Sequence, residues 1–460
     1  MVRLPVARAA DEEAVVSERV TAAAPAPGGI LSRGPEATRR DGEPGWLRER
    51  RLAAWEAFER LPAPQDVYRE EWRRTDITGL DLAALTPPRP EAGGAAPPEL
   101  AAIAGTDADR AGLLVHQDGV TTTSALGDDA RRRGVLFLSL ADAAGSYPDL
   151  VRAHLLATLG EDFDRHRFRA LHAALWSAGT LVYIPRGVEV ALPLVTQTWL
   201  GTPGAAIFPH TLLIADEGSK ATLVEVYASA SGGARALACG VTELVVRPGA
   251  QVRYAVVQEW GAPMWEVGSL IRARVERDAT LNGLVVALGG GLVKFDVESQ
   301  LVGAGASSEM LGLYFGAGRQ HIDIHTLQEH RAPHTLSDLL YKGAVKDAAR
   351  SVFAGLIRVD WGAQKTNAFQ ANRNLILSEG ARSDSIPKLE IMANDLRCTH
   401  GSATSRLNEE HIFYLMSRGL SREQATRIIV EGFLADVFDR IPLERVRAHV
   451  ERAIAEKMRR

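Results

Sequence analysis

Gly218-Ser-Lys-Ala-Thr-Leu-Val-Glu-Val226 and Gly249-Ala-Gln-Val-Arg-Tyr-Ala-Val-Val257 are two copies of one local pattern, a small-residue turn followed by a run of strand-forming residues. Asp278-Ala-Thr-Leu-Asn-Gly-Leu-Val-Val286, Gly305-Ala-Ser-Ser-Glu-Met-Leu-Gly-Leu313, Asp347-Ala-Ala-Arg-Ser-Val-Phe353 and Gly380-Ala-Arg-Ser-Asp-Ser-Ile386 repeat it at successive intervals of 31, 29, 27, 42 and 33 residues. A period near 30 in strand-type sequence is the mark of a repeat architecture, in which each unit buries its apolar face only against its neighbours. Between about 179 and 400 the pattern predicts an all-β, stacked, elongated core, read as a β-helix or β-solenoid. Spacing alone does not show whether the strands run parallel, so a β-sandwich stays open at this point.

Working outward, helical periods flank that core. Leu47, Leu52, Trp55, Phe58 and Leu61 recur at helical spacing from Trp46 to Arg60. Tyr147 to Leu159 and His166 to Trp176 also read as helices, and Gly134 to Leu140 as a buried strand. After the core, Asn408 to Met416 is helical, Arg418-Gly419 supplies a stop, and Ser421-Arg-Glu-Gln424 is a capping box. The next helix carries Ala425, Ile428, Ile429, Phe433 and Val437 on one stripe. Beyond Pro442, Glu444 to Arg460 forms a last amphipathic helix. Residues 1–45, rich in Ala, Pro, Gly and charge, read as a mostly disordered arm, and Thr86 through Pro98 as a linker. The expected organisation is therefore an arm (1–45), a helical and mixed domain (46–178), the β core (179–405) and a helical domain (406–460).

Composition bounds the function. The 460 residues are 46% hydrophobic and 24% charged, enough for a substantial core. With 53 basic against 57 acidic residues the net charge is −4, which gives no electrostatic reason to expect a nucleic acid. The longest apolar run, Leu281 to Val293, holds Asn282 and four glycines and is too short to span a bilayer. Cys239 and Cys398 lie 159 residues apart and match no disulfide or zinc framework. A reducing cytoplasm is the expected compartment, with no membrane attachment.

Two constellations could carry chemistry. His321-Ile-Asp-Ile-His325 places His321, Asp323 and His325 on one face of a strand, with His330 and His334 close by. That set could bind a transition metal, or it could form hydrogen bonds along the face of the solenoid. Cys398-Thr-His400 puts a thiol and an imidazole on one side of an extended segment. Two ligands do not close a tetrahedral site, so completion would need another rung or another chain. A Cys398 nucleophile paired with His400 is also conceivable, though no orienting partner is evident. Gly289-Gly-Gly291 has no following Gly-Lys-Ser/Thr and cradles no phosphate, so any ATP chemistry would need a partner.

Leu389-Glu-Ile-Met-Ala-Asn-Asp-Leu-Arg-Cys-Thr-His-Gly-Ser-Ala-Thr-Ser405 and Glu409-Glu-His-Ile-Phe-Tyr-Leu-Met-Ser-Arg-Gly-Leu420 resemble the SufB/SufD scaffold family of the SUF iron–sulfur assembly system. So do Asn372 to Glu390, Leu171 to Val188 and the Glu70-Glu-Trp-Arg-Arg-Thr-Asp76 motif, so the likeness runs over roughly residues 46–458. The resemblance implies a right-handed parallel β-helix between helical terminal domains. It also implies a non-catalytic subunit that pairs edge to edge with a SufB-like paralogue and docks a SufC-like ABC ATPase through its C-terminal helices. Residues 409–433 would be the docking segment, with Phe413, Tyr414, Arg418, Gly419, Ile428, Ile429 and Phe433 as its contacts.

The stretch Gly380 to Ile386 lacks the cysteine expected of the SufB branch, and Gly401 stands where that branch has a glutamate. The Cys-Thr-His-Gly form resembles SufD. On that likeness His400 is a ligand for a transient Fe–S cluster shared with the partner, and Cys398 a weaker neighbour. ATP would enter only through the ATPase, and nothing in the sequence speaks to a flavin. A β-helix carbohydrate-active enzyme using the Asp323 face, a purely architectural partner without ligands, and a homodimeric scaffold are the competing expectations.

Overall fold

The computed structural model describes residues 28–40, 42–89, 98–160, 165–441 and 443–459. Two long sheets face one another across a shared core and are built from alternate strands of the chain. The first runs through Leu194–Leu200, Lys220–Ser229, Gln251–Glu259, Thr280–Ala287, Ser307–Gly316, Leu336–Val345, Asn367–Ile376 and Arg397–Arg406. The second runs through Gly179–Ile184, His210–Ala215, Val241–Val246, Met264–Val275, Leu292–Leu301, His321–His330, Arg350–Val359 and Arg382–Ile391. Along this path neighbouring strands are parallel, so the chain climbs one rung per circuit in about eight turns. This is the β-solenoid, and the parallel pairing removes the sandwich alternative.

The turns explain the period. Gly218, Gly249, Asp278, Gly305, His334 and Lys365 all take positive φ and stack in one corner of the coil, at intervals of 31, 29, 27, 29 and 31 residues. Each backbone N–H there donates to a carbonyl one rung on: Gly249 to Arg277 at 2.9 Å, His334 to Gln364 at 2.9 Å, Lys365 to Asp395 at 2.6 Å. The 42-residue interval read from the sequence arises because His334 and Lys365 occupy corners without resembling glycine. Asp347 belongs instead to the opposite corner, beside Gly318, and Gly380 to the turn one rung beyond it. An L-residue in the left-handed region costs free energy, so a glycine-based search passes over these two positions.

Three apolar layers hold the fold. Leu223, Val252, Tyr254, Met310 and Tyr341 from the first sheet meet Leu213, Leu244, Phe295, Ile324 and Phe353 from the second inside the coil. The outer face of the second sheet buries Leu212, Val241 and Leu270 against Trp55, Phe58 and Leu171 of helices Gly45–Arg60 and Arg167–Leu175. The outer face of the first buries Val257, Leu313 and Phe315 against Val430, Leu434, Val437 and Val450 of helices Arg422–Phe438 and Glu444–Arg459.

The N-terminal region also feeds the sheets. Gly112–Gln117 pairs in parallel with Leu194–Leu200, although it falls before residue 179. The arm expected over 1–45 lies outside the described residues up to residue 27. From residue 28 it is packed rather than loose: Ile30 is buried and its N–H donates to Leu85 O at 2.7 Å, and Thr38 is buried too. Of the linker expected from Thr86 to Pro98, Thr86 bridges to Ala205 and residues 90–97 lie outside the described residues. Pro442 lies outside them as well.

Candidate functional site: the open last coil and its flanks

Among the described residues, strand Arg397–Arg406 pairs only with Asn367–Ile376, and Arg382–Ile391 only with Arg350–Val359. Each is the last strand of its sheet, and most of their residues are exposed. Two ten-residue strands thus present a row of backbone N–H and C=O groups to solvent, an arrangement that invites another strand. Leu389, Ile391 and Met392 are exposed at the same end.

Register fixes where the Cys-Thr-His motif points. Cys398 sits beside Ala368, His400 beside Gln370, Ser402 beside Asn372 and Thr404 beside Asn374. The four inner partners are buried between the sheets: the Gln370 amide donates to Gly355 O at 3.4 Å, and that of Asn374 to Asn372 Oδ1 at 2.7 Å. Side chains in register on parallel strands share a face. Cys398, His400, Ser402 and Thr404 therefore line the mouth of the coil interior, with no rung above them among the described residues. Opposite them stand Ser383 and Ser385, in register with Ser351 and Phe353, and Ser351 and Ser383 join hydroxyls at 2.9 Å.

His400 is exposed, whereas Cys398 is half-buried against Ile357, Val359, Ala363 and Ala368. Burial pushes the Cys398 thiol up, partly offset by a bond from the Ala368 backbone. Among the described residues no three His, Cys, Asp or Glu side chains converge as a set able to hold a metal ion. The mouth thus sets an exposed imidazole and a half-buried thiol on one strand, and two such groups do not by themselves close a tetrahedral metal site.

The His321-Asp323-His325 face is occupied by protein. Asp323 is fully buried, its carboxylate 2.9 Å from Lys294 Nζ and 3.0 Å from His325 Nε2, and it also accepts from the Thr75 hydroxyl. His321 Nε2 lies 2.9 Å from the same hydroxyl. Lys294 caps the Trp72 ring, its Nζ 4.9 Å from the centroid, and that ring stacks on Phe168. The ammonium and its neighbours hold Asp323 well below the usual carboxylate range, overcoming the burial that opposes them. Two motifs that look separate in sequence, Glu70 to Asp76 and His321 to His325, thus form one clasp that binds the N-terminal region to the coil. His330, buried and bonded to Thr335 and Ser337 at 2.8 Å each, is pushed down to about 4 by burial, and His334 is a corner residue.

At the C-terminal flank, Asn408 caps helix Glu409–Ser417, Gly419 (φ 93°) ends it, and the Ser421–Gln424 capping box starts the next. Phe413 (73%), Tyr414 (57%) and Ile428 (42%) are the large apolar side chains left exposed together with Met416, beside exposed Arg418 and Gly419. The buried stripe of the second helix is Ala425, Val430, Leu434, Val437 and Phe438. Ile428 therefore faces outward rather than lying on the buried stripe. Phe433 packs against the coil instead of solvent: the Lys342 ammonium lies 5.0 Å from its ring and donates to its carbonyl at 2.5 Å. Ile429 is half-buried.

Sequence reading missed Lys294 and Thr75. Lys294 had a usable signal, because it precedes Asp323 by one repeat length and the two are in direct register. It also missed the buried relay His172–His210–Glu243, in which His172 Nε2 lies 2.9 Å from His210 Nδ1 and His210 Nε2 lies 3.2 Å from Glu243.

The sequence model of the SUF system FeS cluster assembly SufBD core domain matches residues 198–433 of this chain, more than half of it. The chain belongs to the SufB/SufD family. The iron–sulfur cluster assembly protein SufD of Bacillus subtilis is 29% identical over 424 residues, covering 91% of this chain and 95% of that protein. The SufB protein of the same organism is 27% identical over 422 residues, 89% of each chain. An iron–sulfur cluster assembly SufBD family protein of Mycobacterium tuberculosis is 32% identical over 340 residues, 72% of this chain and 83% of that one. Within the SufBD family the SufD side is favoured, in line with Gly401 and the cysteine-free Gly380–Ile386 stretch.

Proposed function

We propose that this SufBD family chain is a SufD-type scaffold that pairs through its last coil with a SufB-like subunit and docks a SufC-like ABC ATPase on its C-terminal helices. The observation carrying this reading is the bare pair of terminal strands with Cys398 and His400 at the mouth between them. A sister coil abutting that edge would satisfy the free backbone groups and add the ligands that this chain lacks. The nascent Fe–S cluster is cargo on this reading, held transiently between two subunits, with His400 donating from this side. An imidazole must be neutral to do so.

The helices are tied to the coil by charge as well as by apolar packing. Lys342 Nζ reaches Asp436 at 2.6 Å, Arg440 reaches Asp338 at 3.1 Å, and His449 reaches Glu259 at 2.8 Å. An ATPase gripping the exposed Phe413–Tyr414 face would therefore move a body fastened to the coil, and ATP-driven closure could open the paired mouth. His400→Ala is the test, in the complex reconstituted with the SufB-like and SufC-like subunits. Cluster yield, read by iron, sulfide and absorbance, should fall while the complex still assembles. Unchanged yield would reject the ligand role and leave a purely architectural subunit, which the elevated Cys398 thiol favours as the second reading.

A further inference from the structure

The relay His172–His210–Glu243 joins three separate parts of the chain where the N-terminal helices meet the second sheet. His172 lies on helix Arg167–Leu175, His210 opens strand His210–Ala215, and Glu243 sits in strand Val241–Val246; all three are 0% exposed. The helix can seat this close because Gly268, at the bulge in Met264–Val275, has no Cβ to strike Phe168. The Glu243 carboxylate also accepts from the backbone N–H groups of Leu156 and Thr158 and from the Thr158 hydroxyl. Leu156 has φ 59°, a costly conformation for a leucine, so these bonds hold the turn after helix Pro148–His154 in place.

Hydrogen-bond chemistry sets how many protons the relay holds. The Cys239 carbonyl only accepts, so His172 Nδ1, 2.8 Å away, carries a proton. A second proton lies between His172 Nε2 and His210 Nδ1 at 2.9 Å, and a third between His210 Nε2 and Glu243 at 3.2 Å. Two neutral imidazoles and a carboxylate bring only two. The third makes one imidazole doubly protonated, and Glu243, whose four donors suit an ionised carboxylate, balances its charge. Burial and the neighbouring His210 push His172 down, which puts that charge on His210 beside Glu243.

The other charged groups nearby are engaged elsewhere. On helix Gly45–Arg60, Arg51 lies over the Trp176 ring at 4.2 Å and pairs with Glu43 at 2.9 Å, while Arg50 donates to Leu155 O. Arg40 donates to Leu175 O, and Arg169 pairs with Asp296. Arg272 pairs with Glu298 and donates to Thr158 O. On helix Pro148–His154, Arg152 is exposed and His154 bonds to Leu150 O and Arg247. The Cys239 thiol, pushed up by burial, stays neutral. Losing the third proton would leave two imidazole lone pairs facing each other at 2.9 Å in a fully buried site.

We infer that this relay is a proton-binding latch: seating helix Arg167–Leu175 on the coil takes up one proton, and the helix loosens as pH rises above neutrality. Once unseated, the same three groups bind two protons at such pH, so the seated state binds more and its stability falls as pH rises. A pair of neutral buried histidines would instead be flat in this range and fail only on acidification. The inference uses neither Cys398, His400 nor the C-terminal helices, so it stands apart from the scaffold reading.

The experiment is hydrogen exchange with mass spectrometry on the full chain, following peptides from residues 167–176 between pH 7 and pH 8.5. Opening constants, after division by the intrinsic exchange rate at each pH, should rise at least fivefold, toward the limit of about thirtyfold that one proton sets over this range. In Glu243→Gln the carboxamide N–H supplies the third hydrogen itself, so the opening constant should change less than twofold across the range, whatever its value at pH 7. Protein labelled with [15N]histidine should show at pH 8.5 a doubly protonated imidazole that is absent from Glu243→Gln. An opening constant of the parent chain that is flat or falls with pH would overturn the inference, a result that needs no variant to fold. An equal slope in Glu243→Gln, or no such imidazole in the parent, would overturn it as well.

Discussion

Replacing Asp323 with Asn removes the charge that allows Lys294 to be buried. The carboxylate is 0% exposed and Lys294 3%, and their atoms stand 2.9 Å apart. Breaking a buried pair by deleting one partner costs about 3–5 kcal/mol, because the remaining ion has lost its counter-charge without regaining water. Here the loss falls on the clasp, since Thr75 and Trp72 of the N-terminal segment rest on these same two residues. The clasp should open more often by a factor of roughly 10² to 10⁴. Native-state hydrogen exchange at the Thr75 amide, which donates to Trp72 O at 3.0 Å, reads that opening directly. Adding Lys294→Met to Asp323→Asn should recover most of the loss, since a neutral pair no longer strands a charge. Asp323 has its pKa depressed in the fold, so its contribution is complete above the ordinary carboxylate value near 4 and drains as pH falls below it. Exchange rates within threefold of the parent in Asp323→Asn, or a double variant worse than the single, would refute this account.

Two further outcomes follow from other parts of the molecule. Phe413→Ala with Tyr414→Ala removes side chains that are 73% and 57% exposed, so thermal stability should shift by less than about 0.5 kcal/mol, while co-purification with the proposed SufC-like ATPase partner should fall sharply. Gly218 has φ 69° and open space where a Cβ would lie, so Gly218→Ala should cost about 1–2 kcal/mol from backbone conformation alone, and Gly218→Asn clearly less, by denaturant titration.

How far the sequence could be read follows from the physics of each feature. The coil was legible because parallel stacking forces a near-constant rung length, and Gly218, Gly249 and Gly305 mark its corners in the one residue type free to adopt them. His334 and Lys365 were not, because an imidazole or an ammonium in a left-handed corner leaves no compositional trace. The capping box Ser421–Gln424 was legible because it is local and reciprocal. The orientation of Ile428 and Phe433 was not, because two helical faces differ only in what they pack against, and Lys342 and Asp436 are 94 residues apart. At the clasp, the His-Asp-His spacing showed a shared face but not its occupant, since Thr75 arrives from 248 residues away.

The two ends of the stack differ, and the difference bears on the proposed function. At the N-terminal end the parallel ladder stops on antiparallel strands: Val120–Leu126 on Gly112–Gln117 in one sheet, Leu136–Ser139 on Gly179–Ile184 in the other. Reversed strands with a register shift between Val115 and His116 break the in-register template that another coil would need. A repeat stack that must stay apart from its neighbours is expected to be finished in this way at both ends. At the C-terminal end the last rung instead keeps the full ten-residue strand length and its parallel register, and has no cover among the described residues. The flanking helices do not compensate, since they lie on the outer sheet face and leave the edge free. One terminus thus blocks further stacking and the other permits it. The end that permits it carries His400, so whatever completes the edge also completes the surroundings of that imidazole.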